Sequence, residues 1–222
     1  MPSFRLDTQR WIPIVWSTGE YEELSLLDAV QQAEKIRAIV GNPLEVAVLT
    51  RLLLAIAHSV SAPTDAYEWL DVWNDRPGLL KNMVAHIQDN QAAFDLYSPD
   101  QPFLQNPKLP EPTASPALLV YERAQGNNPV FLDASQVAFP APIPSSEAAR
   151  ALLVTHSFAG SGTGGNNPLN GGKKDTMYAG PLCARMIAVL EGENLAKTIA
   201  FNLASGAKPG KPNWLTSLMW RC

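Results

Sequence analysis

The segment from Asn42 to Val60, NPLEVAVLTRLLLAIAHSV, restricts the fold more than any other part of the chain. Asn42 carries a side-chain oxygen suited to capping a helix, and Pro43 fits the first helical position, where its missing N–H is no loss. The residues that follow are apolar on most sides rather than along one stripe, so a helix built from them has to be covered by other elements. The segment predicts a buried central helix with the rest of the chain arranged around it. Its longest apolar run, Leu52 to Ala57, is far short of a membrane span, and the start MPSFRLDTQRW has no hydrophobic signal segment. A soluble, cytoplasmic protein with no membrane partner is expected.

The elements around this helix can be placed by pattern. RWIPIVWS alternates apolar positions and is followed by Thr18-Gly19, which suggests an N-terminal hairpin. Ser25 is a plausible cap for a helix over LLDAVQQAEKIRAI, with Leu26, Val30, Ala33, Ile36 and Ile39 near helical spacing and Gly41 as its stop. Asp65 to Ala93 reads as two helices separated near Pro77-Gly78, and FDLYSPDQPFLQ as an extended, turn-rich stretch. Pro116 to Ala124 is expected as a short helix and NNPVFLD as a turn into a strand. Ser145-Ser146-Glu147 would cap a helix over AARALLVTHSF. CARMIAVLE reads as a buried strand, and ENLAKTIAFNLAS, after a turn at Gly192, as a final helix. Short strands among helices, with no regular βαβ alternation, point to an α+β fold, and the 222 residues suit one such domain over 1–222.

Between the last two helices lies FAGSGTGGNNPLNGGKKD, Phe158 to Asp175, with glycine at positions 160, 162, 164, 165, 171 and 172. So much glycine lets backbone approach an opposing surface closely. Positive charge begins where this stretch ends. Residues 1–172 hold 10 Lys+Arg against 18 Asp+Glu (−8), whereas residues 173–222 hold 7 against 3 (+4), which together give the net charge of −4. An acidic total argues against a stand-alone nucleic-acid binder, and the basic end leaves room for a local contact.

Known glycine-loop chemistries do not fit. Gly160-Ser161-Gly162-Thr163-Gly164-Gly165 satisfies G-x-G-x-x-G, but that fingerprint needs a strand before it and a helix opening at its third glycine, and here a helix precedes and Asn166-Asn167-Pro168 follows. A P-loop fails at Asn167 and Lys174, which stand where glycine and Ser/Thr are required. No serine lies in G-x-S-x-G, and Cys183 and Cys222 have no neighbouring base and no metal-ligand spacing. His58, His86 and His156 fall in predicted helices without metal-ligand spacing. The expectation is no catalytic residue, no metal, no cofactor and no enzyme. What remains is an amide-rich loop ending in Asn166, Asn167, Asn170, Lys173 and Lys174. Asn can read base edges or phosphates, and Lys supplies phosphate contacts.

The order of segments along the chain resembles a known family. RWIPIVWSTGEYEELSLLDAV, NPLEVAVLTRLLLAIAH, FDLYSPDQPFLQ, GNNPVFLD, EAARALLVTHSF, the glycine stretch and LEGENLAKTIAFNL follow one another as in the large subunit of the type I-E CRISPR surveillance complex, Cascade (the CasA family). The resemblance implies a non-catalytic subunit of an RNA-guided DNA surveillance complex that recognises the motif flanking the target (the PAM). It implies DNA contacts by Gly160, Gly162, Gly164, Gly165, Asn166, Asn167, Lys173 and Lys174, and contact with guide RNA and neighbouring subunits by Phe131, Leu132 and Asp133. Phe131 is equally readable as a core strand aromatic. The implied partners are guide RNA, double-stranded target DNA, the other Cascade subunits, and a nuclease-helicase or a separate chain supplying a missing C-terminal part. The zinc-holding cysteine pairs of some family members have no counterpart here, and the family's C-terminal helical bundle, strand-separating wedge and later motif-contacting lysine lie beyond this chain. The alternatives are a structural adaptor that caps the 5′ end of the guide without reading DNA, and an unrelated enzyme with a nucleotide-binding glycine loop.

Overall fold

The computed structural model describes residues 3–108, 119–120, 142–167 and 171–203. In chain order the elements are β1 (Ile12–Trp16), β2 (Tyr21–Leu24), α1 (Leu26–Gln31), β3 (Ile36–Ile39), α2 (Pro43–Val60), α3 (Ala66–Asn74), α4 (Arg76–Asp89), a 3-10 turn (Gln91–Phe94), α5 (Ser145–Phe158), β4 (Gly162–Asn167), β5 (Lys173–Met177) and α6 (Leu195–Asn202). The fold is α+β, as expected. The helix expected over Pro116 to Ala124 and the strand expected at Asn127 to Asp133 lie outside the described residues, Leu119 and Val120 aside.

α2 begins as its sequence demands: the Asn42 side chain accepts from the Glu45 N–H at 2.9 Å and Pro43 opens the first turn. Val48, Leu49, Thr50, Leu52, Leu53, Ile56 and Ala57 are buried, and α4, α5, α6 and β3 pack around it. By length and composition α2 is apolar enough to cross a membrane. Its packing partners account for that composition, since a helix covered by three others and a strand has to be apolar on several faces.

β1 and β2 form the expected hairpin, pairing Ile12 with Leu24 through Val15 with Tyr21. The segment after α1 departs from expectation. α1 stops at Gln31, and Ile36–Ile39 becomes β3, pairing antiparallel on the other edge of β1 to give the order β2-β1-β3. Ile36 and Ile39 are buried, so their spacing of three serves a short strand with buried ends rather than a helix face; β-branched residues suit that setting. CARMIAVLE forms no strand. Met186 is 99% exposed and Leu190 59%, and the segment runs as a turn and irregular chain to α6. α3 and α4 separate at Asp75, which accepts from the Gly78 N–H at 3.0 Å and so caps α4, with Pro77 inside the first turn. α5 starts at Ser145 with Pro144 in the cap position and no side-chain cap.

The extended stretch expected from Phe94 onwards lines the N-terminus. Leu6 N–H donates to Phe94 O, Leu96 N–H to Phe4 O, and Phe103 packs between Trp11 and Phe94 at 6.5 and 6.2 Å between ring centroids. α3 has no buried residue, yet Trp69 stacks on Trp73, Trp73 meets Phe201 of α6 at 4.6 Å, and Trp69 Nε1 donates to Ala200 O. One arginine ties α5 to the sheet and to α2: Arg150 reaches Glu23 (3.0 Å), Glu45 (3.2 Å) and Trp11 O (2.8 Å).

Leu53→Ala, which removes a buried side chain from the centre of α2, is expected to lower unfolding free energy by about 3 kcal/mol in chemical denaturation. Tyr67→Ala on the exposed side of α3 should change it by less than about 0.5 kcal/mol. Equal effects at the two sites would contradict the placement of α2 at the core.

Candidate nucleic-acid interface

The glycine-rich stretch is a β-ribbon rather than an open loop. β4 pairs antiparallel with β5, with Gly162 opposite Met177, Thr163 opposite Thr176, Asn166 opposite Lys174 and Asn167 opposite Lys173. Between the second and third of these pairs, Gly164 and Gly165 face the single residue Asp175. That two-against-one count is a β-bulge, a position where glycine is favoured. Gly171 and Gly172 have φ of +63° and +76° and bring the chain into β5 in the left-handed region that other residues disfavour. Four of the six glycines thus have a backbone reason.

Gly160 and Gly162 do not. A Cβ added at either would meet nothing within 4 Å. Internal packing does not require their small size, which leaves space for a surface from outside the chain.

The ribbon therefore brings most of the candidate residues together: Gly160 leads into it, Gly162, Gly164 and Gly165 lie along β4, and Asn166 and Asn167 stand opposite Lys174 and Lys173. Lys173 and Lys174 are exposed and form no ion pair among the described residues. As neighbours on one strand they project to opposite faces, so the ribbon carries a cation on each. Phe131, Leu132 and Asp133, the candidates for guide-RNA contact, lie outside the described residues, as does Cys222.

The ribbon is tied to the end of α5. Gly180 N–H donates to Ala159 O and Leu182 N–H to Ser157 O, both at 2.8 Å. Gly180 is forced to be small: a Cβ there would lie 2.5 Å from Ser157 O and 2.9 Å from His156 O. Pattern reading missed this anchor, although the Gly180-Pro181 pair marks a constrained turn.

The three histidines lie in α2, α4 and α5. Burial lowers the pKa of His58; it also lowers that of His86, partly offset by Asp89, and that of His156, partly offset by the 2.8 Å bond between Nε2 and Leu104 O. Among the described residues no three His, Cys, Asp or Glu side chains are grouped to hold a metal.

Two expectations follow. Gly180→Ala should loosen the ribbon anchor, seen as faster amide exchange across β4 and β5 and a loss of about 1 to 3 kcal/mol, while Gly160→Ala leaves both unchanged. Folded-state His pKa values below the unfolded value mean that the unfolded chain binds more protons. Stability is full above about pH 6.5 and should fall as pH drops below it. His156→Gln should flatten that slope, and a slope unchanged by the substitution would remove His156 from the account.

The family model for CRISPR-associated protein Cse1 (CRISPR_cse1) matches residues 6–221. The chain is 33% identical over 207 residues to CRISPR-associated protein CasA/Cse1 of Thermus thermophilus, covering 91% of this chain and 40% of that protein. Among solved structures, Thermobifida fusca Cse1 superposes with a TM-score of 0.74 at 29% identity, over 92% of this chain and 40% of that one. A chain of a CRISPR RNA-guided surveillance complex gives 0.79 at 25% identity, over 95% and 45%. The chain thus spans less than half the length of these relatives, and it belongs to the CRISPR-associated Cse1 family.

Proposed function

We propose that this chain is a non-catalytic subunit of an RNA-guided DNA surveillance complex, in which the β4–β5 ribbon recognises the motif flanking the target. What supports this reading most directly is the ribbon itself. Gly160 and Gly162 are small without an internal reason at the base of the ribbon, and two exposed lysines stand towards its other end, opposite Asn167 and Asn166. A strand with little side-chain bulk can enter a minor groove, which presents a degenerate pattern that a short backbone surface can still discriminate. In such a complex, base pairing with the guide reads the long sequence, and protein reads only the short duplex flank. An acidic subunit suits that division, because other subunits contribute most of the phosphate contacts. Phe131, Leu132 and Asp133 are proposed to touch the guide RNA and a neighbouring subunit.

The test is binding of a guide-loaded complex, reconstituted with and without this chain, to matched duplexes differing only in the flanking trinucleotide. The chain is expected to confer a preference for one flank. Lys173→Ala with Lys174→Ala should weaken binding to every flank and reduce the slope of log K against log salt by about two. Gly160→Val with Gly162→Val should change the order of flank preference without lowering Tm. Normal assembly with equal affinity for all flanks would favour a structural adaptor at the 5′ end of the guide instead.

A further inference from the structure

Arg51 is a cation in the middle of α2, the most apolar helix among the described residues. Four arginines among the described residues are half-buried: Arg5, Arg51, Arg76 and Arg150. Three of them have carboxylates within ion-pair distance, Asp7, Glu34, and Glu23 with Glu45 respectively. Arg51 has none among the described residues. Among the described residues its single side-chain hydrogen bond is a long one, 3.4 Å to Ser157 Oγ, and burial lowers its pKa. A partly desolvated guanidinium without a counter-ion is unfavourable in the folded chain by itself.

Its position gives the feature a meaning. Ser157 lies in the last turn of α5, and its carbonyl takes the Leu182 N–H in the segment that closes the β4–β5 ribbon. Arg51 therefore sits at the base of the ribbon that carries Lys173 and Lys174, and the exposed Arg185 follows three residues after Leu182. Planar guanidinium groups bind phosphate oxygens through two parallel N–H bonds. We infer that Arg51 is a phosphate-binding residue, placed under the ribbon to take a backbone phosphate of the nucleic acid that the ribbon addresses. This rests on the nucleic-acid reading of the ribbon. The competing explanation is that Arg51 serves only the negative end of the α5 dipole.

The experiment measures duplex binding of the guide-loaded complex between 50 and 200 mM salt, with Arg51→Met, Arg51→Lys and the double Lys173/Lys174→Ala variant of the full chain, and Tm of each. Arg51→Met is expected to weaken binding to every flank several-fold, to reduce the salt slope by about one, and to leave Tm unchanged or raised. Arg51→Lys should keep the slope, since it keeps the charge. An unchanged slope in Arg51→Met, whether or not Tm falls, overturns the inference, and a fall in Tm with that unchanged slope assigns Arg51 to the end of α5. If the double lysine variant still loses slope while Arg51→Met does not, only this inference fails. If neither loses slope, the nucleic-acid reading of the ribbon fails with it.

Discussion

Burial of α2 is the constraint on which the rest of the structure depends. An 18-residue helix with apolar residues on most faces cannot rest on one neighbour, so α4, α5, α6 and β3 enclose it. This arrangement fixes α5, because Arg150 joins that helix to Glu45 at the start of α2 and to Glu23 on the sheet. Once α5 is fixed, so is the point from which the ribbon departs. The ribbon's second strand returns to the same place through Gly180 and Leu182. The core thus holds the base of the ribbon, and the ribbon extends the two lysines away from it.

The six glycines divide by cause: four answer to the backbone of the fold, and two do not. Gly171 and Gly172 serve a left-handed approach to β5, and Gly164 and Gly165 a bulge. Gly160 and Gly162 face open space. A residue kept small by its own fold says nothing about a partner, whereas one kept small without internal need points outward. Membership in the Cse1 family gives that outward surface a setting.

Local signals were readable from the sequence. The Asn42-Pro43 start of α2 and the Ser25 cap of α1 depend on a few adjacent residues, and the N-terminal hairpin depends on alternation. Elements decided by distant pairing were not readable. Ile36 and Ile39 sit three apart, which fits a helix face, but an open edge of β1 drew them into a strand. CARMIAVLE is apolar enough for a buried strand, yet no strand among the described residues pairs with it and Met186 stays exposed. The eight candidate residues around the glycine stretch were legible as a group, but their register was not, because only cross-strand pairing sets Asn166 against Lys174. Arg51 left one signal, a charge inside an apolar run, and nothing local says what it faces.

The most direct measurement is site-specific photocrosslinking from position 160 of this chain in a guide-loaded complex bound to target duplex. The account predicts a crosslink to the base pairs immediately flanking the paired target, lost when the flank is changed to one that the complex does not bind. Crosslinks only to protein subunits or to guide RNA, with flank-dependent DNA binding still intact, would contradict the assignment of the ribbon as the reading element.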